Sequence, residues 1–135
     1  MKHDDLSWHL TDDWPPDVPE ERAGTHIGMF LHWAVLRGHA GSELCDVAGD
    51  KCVEVRCGTL NGLQLLVKFC DGKLTSGDLD EVGDAFAEDY YERYLDDYRG
   101  TFPQAGELQW IARAEDFLLM ATVLDERFSE WQEVE

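Results

Sequence analysis

Residues 26–37 place the strongest constraint on the fold. At about 100° per residue, Ile27, Met29, Phe30, Leu31, Trp33, Ala34, Val35 and Leu36 cover almost the whole circumference of a helix. Thr25 can cap its start and Gly38 can follow its end. A helix that is apolar on every side has no face to leave in water, so other elements must cover it all round. The chain therefore predicts a fold built around one buried central helix. Its 135 residues, 44 % hydrophobic and 11 % aromatic, are about one domain's worth of chain and carry enough apolar side chains to pack it.

The elements around that helix read as mainly helical. Ser42 is expected to cap a second helix that carries Leu44, Val47, Ala48, Cys52 and Val55 and ends at Gly58, with Gly49 inside it. Leu63, Leu66, Val67 and Cys70 mark a third, stopped by Asp71-Gly72. Thr75 with Asp78 resembles a capping box for a long fourth helix over about 77–98. Its core stripe is Leu79, Val82, Phe86, Tyr90 and Tyr94. A fifth, over about 114–132, presents Phe117, Met120, Ala121, Leu124, Phe128 and Trp131. Alternation at Leu6, Trp8 and Leu10, and again at Leu108, Trp110 and Ala112, predicts two short strands able to pair as a ribbon. Pro15, Pro16 and Pro19 forbid a regular helix nearby, so residues 1–24 read as an ordered wrap that buries Trp8 and Trp14. The expected architecture is a single compact, mainly α domain over residues 1–135. It has about five helices around a buried central one, with a small two-stranded β ribbon.

Charge narrows the function. Asp and Glu number 29 against 11 Lys and Arg, for a net charge of −18. Such a surplus repels phosphate backbones and anionic lipid, so direct nucleic-acid or membrane binding is not expected. Met1-Lys2-His3-Asp4-Asp5-Leu6 has no apolar signal core, which points to a cytoplasmic location. Cys45, Cys52, Cys57 and Cys70 form no CxxC pair and are expected as buried, reduced thiols. No cofactor or metal is expected from local spacing. HExxH is absent, and the calcium-loop likeness at Asp71-Gly72-Lys73 fails because Lys73 sits at a ligand position and Val82 at the twelfth. Gly24-Thr25-His26-Ile27-Gly28 has the spacing of a nucleophile elbow but holds His where Ser belongs. His32, on a buried helix, reads as a hydrogen-bonded core histidine.

Two constellations remain. On the fourth helix Glu81, Glu88, Asp89, Glu92 and Asp96 fall within an arc of about 100°, either a solvated face or a docking face for a basic protein. Near the first strand and first helix, Trp8, His9, His26, His32 and Trp33 could line a pocket.

Asp4-Asp5-Leu6-Ser7-Trp8-His9 and Ala23-Gly24-Thr25-His26-Ile27-Gly28-Met29-Phe30-Leu31-His32-Trp33 resemble an uncharacterised family of small acidic bacterial proteins with a THIGMFLxW motif. Phe86-Ala87-Glu88-Asp89-Tyr90-Tyr91, Tyr94-Leu95-Asp96-Asp97-Tyr98 and Leu124-Asp125-Glu126-Arg127-Phe128 extend the resemblance over nearly the whole chain. In size and charge the family is similar to the immunity proteins of polymorphic toxin systems. The resemblance implies an immunity or antitoxin-like protein that occludes the active site of a cognate, basic toxin domain. Glu81, Glu88, Asp89, Glu92 and Asp96 would then be the charge partners. The alternative is a small-molecule-binding domain or enzyme using the His/Trp pocket.

Overall fold

A computed structural model describes residues 1–107 and 110–134. Among them lie β1 (Lys2–Asp5), α1 (Thr25–Leu36), α2 (Ser42–Ala48), α3 (Lys51–Cys57), α4 (Gly62–Phe69), β2 (Lys73–Thr75), α5 (Glu81–Thr101) and α6 (Ala114–Val134). The mainly α expectation holds. Thr25 through Val35 are all buried, and α1 is packed against α3, α4, α5 and α6. A helix with no polar face is thus covered on every side.

Close backbone contact locks α4 onto α1. A Cβ built on Gly62 would lie 1.9 Å from the Gly28 carbonyl oxygen, and one on Gly28 would lie 2.5 Å from Leu63 Cα. Only hydrogen side chains permit that approach. Asn61 and Gln64 form a reciprocal capping box at the start of α4. The Gly62 N–H donates to His32 Nδ1 at 3.0 Å, so His32 is the hydrogen-bonded core histidine its position predicts. On the other side of α1, Phe30 and Trp33 pack against Phe86 of α5, and Trp33 meets Phe128 of α6.

Several local expectations are corrected. The strand is Lys2–Asp5 rather than Leu6–Leu10, and it pairs antiparallel with Lys73–Thr75, joining residues 2–5 to the core through buried Leu74. Leu6–His9 is a 3-10 turn because Asp5 Oδ1 accepts from the Ser7 N–H and hydroxyl. A local cap of this kind overrides apolar alternation. Trp110 and Ala112 lie outside any strand, and Leu108 falls outside the described residues. Trp8, expected inside, is 59 % exposed with the Lys2 ammonium 5.0 Å from its ring centroid. The single helix expected over residues 42–57 is two, broken at Gly49 with φ +52°. L side chains rarely adopt that backbone, so glycine marks the break.

Thr25 is the first helical residue of α1 and not its cap; its hydroxyl donates to the Arg22 carbonyl. The Thr75–Asp78 box is real but closes a 3-10 turn, Ser76–Asp78. α5 starts later, where Asp80 accepts from the Gly83 N–H. Val82, read as core, faces solvent, and Cys45 and Cys57 are exposed thiols.

Candidate functional site

Where β1 meets the turn that follows it, a carboxylate is held inside the protein. Asp4 is 3 % exposed. The strand pairing fixes its backbone, and Asp4 Oδ1 accepts from the Asp5 N–H at 2.8 Å. The Leu6–His9 turn folds His9 back so that its Nε2 lies 2.7 Å from Asp4 Oδ1. The first turn of α1 supplies His26, whose Nε2 lies 3.1 Å from Asp4 Oδ2. From α5 the Tyr91 hydroxyl donates to the same Oδ2 at 2.8 Å. The two Nε2 atoms are only 3.2 Å apart, with the rings edge to face. Asp4, His9 and His26 thus turn one donor atom each toward a common point, all within 4.8 Å of one another.

The protonation states follow from the surroundings. Burial acts to raise the Asp4 pKa, but hydrogen bonds from His26, His9 and Tyr91 outweigh it, so the carboxyl stays ionised well below the usual range. Burial lowers the His26 pKa more than Asp4 raises it, and nearby His9 and Arg99 oppose a second positive charge. His26 is therefore a neutral imidazole at neutral pH, and Tyr91 keeps its proton because its hydroxyl is buried beside Asp4.

This cluster forms one wall of a pocket of about 200 Å³ that His9, Trp14, Arg22, His26, Tyr98 and Arg99 line. Trp14 is anchored by its Nε1 donating to the Val18 carbonyl at 2.9 Å, a bond internal to the proline-rich wrap. Tyr98 stands 5.5 Å from His26, centroid to centroid. The pocket therefore combines two imidazoles, two guanidinium groups and aromatic walls.

The family model described as Domain of unknown function (DUF7832) matches residues 2–111. The chain belongs to this family. In this DUF7832 chain, Asp4, His9, His26, Tyr91 and every pocket residue named above lie inside the matched segment, and α6 lies beyond it. No curated protein and no solved structure matches the chain.

The His/Trp constellation of this DUF7832 domain is only partly assembled. His9 and His26 meet, whereas His32 lies against Phe117 and Gly62, Trp33 is buried with its Nε1 on Asp125, and Trp8 faces solvent. On α5, Glu81, Glu88, Asp89, Glu92 and Asp96 are all exposed. Asp89 accepts from Trp131 Nε1 at 2.8 Å, and Asp96 lies 3.7 Å from Arg99. Sequence reasoning missed Asp4, Trp14, Arg22, Tyr91, Tyr98 and Arg99 as site residues. Their separation along the chain leaves no local spacing to detect; the one available signal was an acid and a histidine five residues apart beside a turn. No helix among the described residues is long and apolar enough to cross a membrane.

Proposed function

We propose that this domain is a small-molecule-binding module that takes a small anion in the pocket between the Leu6–His9 turn, the start of α1 and the end of α5. The observation that carries this reading is the gathering of Arg22, Arg99, His9 and His26 around one pocket in a chain of net charge −18 with only 11 Lys and Arg. Guanidinium groups offer charge-assisted donors to a carboxylate or phosphate, and the aromatic walls lower the local dielectric. At about 200 Å³ the space suits a phosphate or short carboxylic acid rather than a dinucleotide. The rest of the surface repels anions, so contact donors must supply the affinity and added salt should screen the opposing field. Calorimetric titration with inorganic phosphate and with a short dicarboxylate tests it. Binding to the folded chain that Arg99→Glu abolishes supports the reading; no heat from either anion overturns it.

A second reading keeps the acidic face as a docking surface for a basic partner, as an immunity protein uses against its toxin. What favours it is that all five carboxylates face solvent and Glu81, Glu88 and Glu92 form no ion pair among the described residues. Charge on such a face accelerates capture. Its test is association with a basic toxin domain encoded beside the gene: Glu88→Lys with Glu92→Lys should slow association and reduce its salt dependence, and unchanged kinetics would remove this face from the interface.

A further inference from the structure

We propose that Asp4, His9 and His26 hold a divalent transition-metal ion, with Zn2+ the best match, leaving a coordination position open to the pocket. Two imidazole nitrogens and one carboxylate oxygen form a donor set that suits Zn2+ and its neighbours, whereas Ca2+ and Mg2+ prefer oxygen alone. At Zn2+ bond lengths, donors at tetrahedral corners lie about 3.3 Å apart. The separations here are 3.2 Å between the two Nε2 atoms, 3.1 Å from His26 Nε2 to Asp4 Oδ2, and 2.7 Å from His9 Nε2 to Asp4 Oδ1. Closing on an ion requires one carboxylate oxygen to serve both rings, and the three donor atoms already lie within 4.8 Å of one another.

The donor atoms all turn toward one another, although each has a hydrogen-bond partner. Each Nε2 faces both the same carboxylate and the lone pair or N–H of the other ring. Two N–H groups there would crowd, so without an ion one ring donates its N–H to Asp4 and the other presents a bare nitrogen to the same point. A cation at the common point satisfies both nitrogens and the carboxylate together. Tyr91 completes the pattern: its hydroxyl donates to Asp4 Oδ2 from outside the cluster, as outer groups do when they orient a ligating carboxylate.

Three protein ligands with a fourth position free is the arrangement of zinc sites that bind an exchangeable water or substrate, while structural sites are closed by four. His9 and His26 line the pocket, so the free position faces it. This extends the anion-binding reading and rests on it only for the fourth ligand: an anion on the metal would also reach Arg99, whose charge would otherwise oppose the ion.

The test uses the full chain, stripped with a chelator and checked for its fold by circular dichroism. It is then titrated with Zn2+ by calorimetry and with Co2+ by visible absorption. One equivalent is expected, with the strong visible bands of four-coordinate Co2+. His9→Ala, at a half-buried position, should abolish uptake while the chain stays folded, and Asp4→Asn provides a second ligand test. Tyr91→Phe should keep the site but weaken it by about 10- to 100-fold. No uptake by the folded chain, or uptake at unchanged affinity in His9→Ala, overturns the metal site. Phosphate titration of the stripped chain separates the two readings. Phosphate bound without any metal uptake removes the metal alone; metal uptake with phosphate bound in neither form removes the anion reading alone.

Discussion

Two histidines on the same helix have opposite meanings. His26 and His32 both lie on α1, are 7 % and 6 % exposed, and are both shifted by burial toward the neutral form. The His32 ring serves the helix packing: its Nδ1 accepts the Gly62 N–H, while Phe117 lies beside the ring. That bond satisfies a helix N-terminal donor that is otherwise orphaned, and it pins α4 to α1. His26 instead meets a buried carboxylate and a second imidazole beside an open pocket. Burial and residue type are nearly the same, so neither tells the two surroundings apart. What differs is the partners: a backbone N–H for His32, a carboxylate and a second imidazole for His26.

Four experiments would break or sharpen that contrast. The largest effect is expected at the crossing that His32 supports. Gly62→Ala would drive a methyl into the Gly28 carbonyl, where backbone on both sides prevents relief. A loss of about 3 kcal/mol or more in denaturant unfolding is expected; a loss under about 1 kcal/mol would mean that the two helices are free to separate.

The next effect is pH-dependent. Burial lowers the His32 pKa to about 4, against an ordinary value of 6.5. Between those values the unfolded chain binds the proton and the folded chain does not. The stability from keeping His32 neutral is therefore whole above pH 6.5 and lost as pH falls toward 4. The loss amounts to about 3 kcal/mol by the lower end. Urea midpoints taken across this range for the native chain and for His32→Gln should converge at low pH. Parallel curves would show that His32 is protonated at little cost.

At neutral pH, His32→Leu leaves the Gly62 N–H without its acceptor and should cost about 1–3 kcal/mol. Phosphate binding should survive it, whereas His26→Gln should lose phosphate binding; a loss in both would merge the two ends of α1 into one site. The smallest effect is on the acidic face. Glu88→Gln removes a like-charge neighbour of Glu92 one helical turn away, so a gain of a few tenths of a kcal/mol is expected at low salt, fading as salt rises. A clear loss in thermal unfolding would mean that Glu88 has a stabilising partner.

The parts of the fold that were legible in the sequence are those with a strong local cause. The all-round apolar run from Ile27 to Leu36 announced the buried helix, and helical spacing placed the core of α6, whereas on α4 it found Leu66 but missed buried Leu65 and counted exposed Val67. Alternation at Leu6, Trp8 and Leu10 misled because Asp5 Oδ1, accepting from the Ser7 N–H and hydroxyl, turned the chain there, while the true strand, Lys2–Asp5, carries only polar residues. Its cause is remote, since it exists only by pairing with Lys73–Thr75. Gly49 was visible inside the expected second helix, but helical spacing alone did not show that it takes φ +52° and ends α2 there.

The sequence by itself determined that one helix had to be buried, that the other helices would surround it, that the surface would be strongly acidic, and that His32 belonged in the core. These depend on composition and on periods of a few residues, which act whatever the distant chain does. Only the tertiary structure decided that Asp4, His9, His26 and Tyr91 would meet. A site is a convergence of side chains from separate elements, and convergence is set by the strand pairing and helix packing that bring residues 4 and 91 together. Along the sequence those positions have no period in common.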